Sequence, residues 1–80
     1  MNPLHINYVD YRSILVINSK GKIRQLYVPF KVKVLLSTEY LKEGSNTYVE
    51  EVQTHATYLL IYRVGNSWLP YYLFEINIHF

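Results

Sequence analysis

The chain is interrupted so often that little but short strands fits between the breaks. Gly21, Pro29, Gly44, Gly65 and Pro70 divide it, and glycine and proline are the strongest local punctuation a sequence carries. The pieces between them are rich in Val, Ile, Thr and Tyr, side chains that lose χ1 freedom in a helix and pack well on a pleated surface. Residues 13–17 are a β-branched and leucine run, Asn18-Ser19-Lys20-Gly21 puts Asn and Gly where a type I turn wants them, and residues 22–28 return. This predicts a β-hairpin. Pro29 has no N–H for a ladder and drives Val28 into an extended conformation, so a break is expected there.

Further along, Val32, Val34 and Leu36 alternate with Lys31 and Lys33, the pattern of a half-buried strand. Residues 37–44 read as a loop or a single helical turn. Two strands follow over 47–53 and 57–64, separated by Thr54, His55 and Ala56, and then Gly65-Asn66-Ser67 turns the chain into Trp68-Leu69-Pro70. Residues 75–78 close it with Ile76 and Ile78 on one face. The window 47–64 also fits a helical stripe through Val49, Val52, Ala56, Leu59, Leu60 and Arg63. Against the helix stand its three Thr, three Tyr and three Val, and the lack of a capping box before it. The expectation is therefore all-β, with Val32, Val34, Leu41, Val49, Leu60, Ile61, Leu69 and Ile76 in the core.

With 80 residues the chain supports one core and one domain, and a domain this small buries only about 60% of its unfolded surface. There is no cysteine, so no disulfide or thiolate helps, and the reducing cytoplasm is the expected compartment. Met1-Asn2-Pro3-Leu4-His5 shows neither the basic nor the apolar region of a leader. No run approaches the roughly 20 apolar residues of a membrane span. A net charge of +2 does not by itself argue for nucleic acid.

From residue 31 onward, the order of features resembles the Src-homology-3-like (SH3-like) small β-barrels. It runs from a strand to Leu41-Lys42-Glu43-Gly44, Tyr48-Val49-Glu50-Glu51-Val52, residues 58–64, Trp68-Leu69-Pro70 and Leu73-Phe74-Glu75-Ile76. The Leu-x-x-Gly is similar to that family's diverging turn, and Pro70 with the short turn after it is similar to the closing 3₁₀ turn. The resemblance implies a five-element antiparallel SH3-like barrel over residues 31–78, to which residues 1–28 add an N-terminal β-hairpin extension. Members that bind proline-rich peptides hold a ligand-facing Tyr three residues after the closing Pro, where this chain has Leu73. Tyr8-Val9-Asp10-Tyr11 is superficially similar to their N-terminal aromatic motif but lies far before Leu41. Other barrels of this kind bind RNA, DNA or protein, or are structural, so the fold does not decide the function.

Catalytic constellations are not visible. There is no Ser-His-Asp order and no glycine-rich phosphate loop, and Glu50 and Glu51, adjacent on a strand, are expected on opposite faces. His5, His55 and His79 stand at no metal-ligand spacing. No enzyme activity, cofactor or metal is expected.

What stands out is tyrosine, nine of them beside three Phe and one Trp. A stiff ring with a polar tip suits both strands and binding surfaces. Trp68, Tyr71 and Tyr72 bracket Pro70, and with Tyr40 or Tyr48 they would form an aromatic patch for a protein partner; alternatively Trp68 and Phe74 simply fill the core. Lys20, Lys22 and Arg24 alternate along one expected strand face, with Lys31 and Lys33 just after and no acid between. Beside Tyr27 and Phe30 these could bind the phosphates of RNA or single-stranded DNA, or they could guard a strand edge against pairing with other chains. Three functions follow: a non-catalytic protein-interaction module, a nucleic-acid-binding barrel, and a structural homo-oligomer assembled through the N-terminal hairpin.

Overall fold

A β-branched, tyrosine-rich chain cut by turns folds here into strands throughout. The computed structural model describes residues 4–80; what the sequence suggests for Met1, Asn2 and Pro3 lies outside them. Nine strands and one short 3₁₀ helix follow one another. They are β1 (His5–Asp10), β2 (Ser13–Ile17), β3 (Ile23–Tyr27), β4 (Phe30–Val34), β5 (Asn46–Val49), β6 (Glu51–His55), β7 (Leu59–Val64), β8 (Ser67–Pro70), the 3₁₀ helix (Tyr71–Leu73) and β9 (Phe74–Ile76). They make three antiparallel sheets of three strands, ordered β1-β2-β3, β5-β4-β9 and β6-β7-β8. No closed barrel is formed among the described residues. No helix among them is long and apolar enough to cross a membrane, and the helical stripe over 47–64 is three strands instead.

The predicted N-terminal hairpin is present as β2 and β3, and Gly21 closes its turn with a left-handed φ of 80°. Asn18 Oδ1 accepts the N–H groups of Lys20 and Lys22 at 3.0 and 2.9 Å. The hairpin is nevertheless only part of the extension, because β1 pairs with β2 along nearly its whole length. At the turn between them Asp10 Oδ1 accepts the N–H of Arg12 at 2.8 Å. This local turn offers the backbone a partner that Asp is suited to give.

One apolar core joins the sheets. Ile14 and Val16 from β2 meet Phe30, Val32 and Val34 from β4, Val49, Val52, Leu60 and Tyr62 from the middle strands, and Phe74 and Ile76 near the C-terminus. Five of the eight expected core positions, Val32, Val34, Val49, Leu60 and Ile76, are buried, while Leu41 and Leu69 pack against the core at its margin. Ile61 is a correction. In the register Val52↔Tyr62 and Gln53↔Ile61, Ile61 shares the outer face with Gln53 and Tyr62 takes the core side. Leu36 is likewise exposed, because β4 ends at Val34 and the alternation stops with it. The final strand is also shorter than expected and leaves Ile78 beyond its end.

The loop 35–45 contains no helical turn and holds itself by short bonds. Leu41 N–H donates to Thr38 Oγ1 at 3.2 Å, Glu43 N–H to Ser37 Oγ at 2.9 Å, and Gly44 N–H to the Val34 carbonyl at 2.8 Å.

Candidate functional site

Aromatic residues gather where the β6–β7 turn meets the 3₁₀ helix. The turn sits later than expected: Thr54 and His55 belong to β6, and Ala56, Thr57 and Tyr58 make the bend. His55 is the reason. Its Nδ1 accepts the N–H of Thr57 at 3.1 Å and that of Tyr58 at 3.3 Å, so the ring caps two amides of the turn that follows it. Both contacts require Nδ1 to carry a lone pair, which places the proton of the neutral ring on Nε2. The His55 ring then lies against Tyr58 with centroids 4.9 Å apart and planes at 33°.

The backbone leaves this turn through an uncommon conformation. Leu59 has a φ of 70°, and Leu60 N–H donates across it to the Tyr58 carbonyl at 2.8 Å. A two-residue-apart bond over a left-handed φ is the strained hand of γ-turn, and a bulky side chain with positive φ is a true outlier. The Leu59 side chain stays exposed.

The 3₁₀ helix supplies the other half. Pro70 leads into it in an extended conformation with φ −58° and ψ 142°, and presents Tyr71 and Tyr72 in succession. Tyr72 lies 6.2 Å from Tyr58 with planes at 56°, and Tyr71 lies 5.9 Å from Tyr72, near perpendicular at 78°. Tyr72 is 51% exposed, whereas Tyr71 is half-buried and packs against the core. The result is a continuous series of four rings, His55, Tyr58, Tyr72 and Tyr71, drawn from two elements.

Of the five aromatic residues proposed from sequence, the structure brings Tyr71 and Tyr72 together and leaves the other three apart. Trp68 stands opposite Arg63 on the outer face of β7-β8, 39% exposed and so not filling the core, which falls to Phe74. Tyr48 lies on the outer face of β5, paired with Lys31. Tyr40 is 81% exposed and borders a groove of about 180 Å³ with Leu41, Val64 and Leu69. None of these three rings is in contact with another ring among the described residues. His55 and Tyr58 were missed. The signal that could have found them is Thr54-His55-Ala56-Thr57-Tyr58 itself, where a ring acceptor stands two and three residues before free turn amides.

The basic residues do not form one stripe. Lys20 and Lys22 sit at the β2–β3 turn rather than on a strand, because β3 begins only at Ile23. The Arg24 guanidinium donates to the His79 carbonyl. Lys31 and Lys33 lie on the outer face of a different sheet, and Lys33 stands between Asn46 and Glu75 in register. Glu50 and Glu51 also differ from expectation. Glu50 lies in the break between β5 and β6, which frees both carboxylates to reach Arg63, each at 3.3 Å.

Among the described residues no group of three or more His, Asp or Glu is placed to hold a metal ion. Compared with family models, curated proteins and solved structures, the chain finds no match.

Proposed function

We propose that the protein is a non-catalytic binding module that docks another protein through the ring series His55, Tyr58, Tyr72 and Tyr71. The observation that carries the reading is that these rings touch one another across two elements, with His55, Tyr58 and Tyr72 exposed and Tyr71 anchoring the series against the core. Exposed aromatics in contact form the kind of patch that dominates interface energy. They are held before a partner arrives: His55 fixes the turn, and Pro70 fixes the start of the 3₁₀ helix. Rings ordered in advance lose little entropy on binding. The strained γ-turn at Leu59 supports the same location, since backbone strain concentrates where a function maintains it.

The scaffold that presents this patch is, on our reading, an SH3-like small barrel built from β4 to β9. Three features support it. The last strand returns to pair with β4, only Glu50 separates β5 from β6, and a 3₁₀ turn precedes the closing strand. The β1-β2-β3 sheet is then an addition to that scaffold.

Nucleic-acid binding is the second reading, and Lys31 beside the exposed Tyr48 favours it. Glu75 beside Lys33 and the division of the basic residues between two sheets make it the weaker of the two.

A peptide display library selected on the wild-type protein and counter-selected on a Tyr58→Ala/Tyr72→Ala double variant tests the main reading. Peptides retained by the wild type and lost from the folded double variant are the expected outcome. Equal recovery on both proteins, or selection only of nucleic acid in a parallel oligonucleotide screen, would overturn it.

A further inference from the structure

Strand β3 ends the N-terminal sheet: it pairs with β2 on one side and with no strand on the other among the described residues. The phase of its ladder is set by two bonds, Val28 N–H to the Arg12 carbonyl at 2.8 Å and Asn18 N–H to the Lys22 carbonyl at 3.0 Å. Bonded and unbonded residue pairs alternate in an antiparallel ladder, so Leu26 and Arg24 bond to β2. The amides and carbonyls of Ile23, Gln25 and Tyr27 therefore point out from the open edge. Their side chains share the sheet face away from the buried Ile14 and Val16.

Exposed edges are normally blunted by charge, proline or a bulge; here Lys22 and Pro29 flank the strand, but none of the three outward-facing positions, Ile23, Gln25 and Tyr27, is charged or proline. Lys20 and Lys22 precede the strand, and the Arg24 guanidinium is drawn to the His79 carbonyl. What remains along the edge is Ile23, 62% exposed, and Tyr27, 64% exposed.

We propose that this edge pairs with the same edge of a second copy of the chain. The two β3 strands run antiparallel about a two-fold axis at Gln25 and join two three-stranded sheets into one. The sequence of the strand is self-complementary in that register alone. Backbone direction requires Ile23, Gln25 and Tyr27 to face one another. Centred on Gln25, each Ile23 meets the partner's Tyr27, a β-branched side chain against an aromatic, which is a favourable cross-strand pair. Arg24 then meets Leu26. Shifting so that Ile23 meets Gln25 sets Arg24 against the partner's Arg24, like charges in the closely spaced unbonded pair. The opposite shift sets Ile23 against Pro29, which has no N–H to donate. A closed, isologous pair results, which leaves no open β3 edge to propagate.

The test compares three proteins by sedimentation velocity over micromolar concentrations, each checked for strand content by circular dichroism. Wild type is expected to reach twice the 9.6 kDa chain mass. Ile23→Lys/Tyr27→Lys places lysine against lysine at both ends of the pairing and is expected to be monomeric. Ile23→Lys/Tyr27→Glu places lysine against glutamate and is expected to remain dimeric. A wild type that stays monomeric, a double-lysine protein that dimerises as well as wild type, or a folded Lys/Glu variant that is monomeric would each overturn the proposal. Amide hydrogen exchange of the wild type needs no variant. Exchange at Ile23, Gln25 and Tyr27 is expected to slow as protein concentration rises, and fast exchange independent of concentration contradicts the pairing.

Discussion

At the scale of single residues, Tyr62 is the least comfortable side chain in the molecule. It is fully buried, edge-on to Phe30 at 5.6 Å and beside Phe74 at 6.0 Å, yet its hydroxyl has no partner among the described residues. Burial pushes its pKa well above that of a free tyrosine, and the neighbouring Tyr71 adds to the rise. An unpaired buried hydroxyl costs about 1 to 3 kcal/mol. Tyr62→Phe keeps the ring, removes that cost, and is expected to raise stability by about 1 kcal/mol in a urea melt. The pH dependence has a definite sign. Above the unfolded pKa of 10.0 the unfolded chain releases this proton while the folded chain keeps it, so stability falls as pH rises. In an alkaline ultraviolet titration, Tyr62 should ionise only when the protein unfolds, and Tyr62→Phe should flatten the loss of stability above that pH. His55 gives a second residue-scale prediction. His55→Ala removes the acceptor for two turn amides and is expected to destabilise by about 1 to 2 kcal/mol. His55→Asn, whose side-chain oxygen suits the same local turn, should recover part of this in the same melt.

At the scale of elements, the β6–β7 turn is where local strain and the ring series coincide. Leu59→Gly should relieve the left-handed φ at little loss of burial, and an increase of about 1 kcal/mol in unfolding free energy is expected. No change, or a loss, would mean that the Leu59 side chain supports the turn. The same region shows what sequence reveals and what it does not. Strands β2, β4 and β8 were legible because a β-branched run, an alternation or a short apolar piece lay beside a turn marked by glycine or proline, although nothing of that kind marked the end of β4 at Val34. Leu59-Leu60-Ile61-Tyr62 is apolar at every position, so period gives no face, and the expectation placed Ile61 in the core beside Leu60, where alternation puts Tyr62. Strand β1 escaped because His5–Asp10 keeps most of its side chains exposed and so lacks an apolar alternation. Only Asp10, a turn former ahead of Arg12 and Ser13, marked its end. For the site, Tyr71 and Tyr72 were legible from their place after Pro70. Tyr58 was not, because its position depends on His55 capping a turn, a contact between side chain and backbone that no periodicity records.

At the scale of the whole molecule, three small sheets share one core, and two surfaces are left with more apolar character than solvent favours. The ring series belongs to the β6–β7 turn and the 3₁₀ helix; the open edge belongs to β3. They draw on different residues, so the double-lysine change at positions 23 and 27 should leave the proposed peptide binding at the rings intact. A domain this small has only modest stability, which makes the distinction between a ring that binds and a ring that supports the fold easy to measure. The most direct measurement is the affinity of a display-selected peptide for wild type and for Tyr72→Ala by titration calorimetry, beside the thermal midpoint of each protein. The account predicts a loss of roughly 5- to 150-fold in affinity, about 1 to 3 kcal/mol, with the midpoint nearly unchanged. Unchanged affinity, or a collapse of the midpoint that carries the binding with it, would contradict a docking role for these rings.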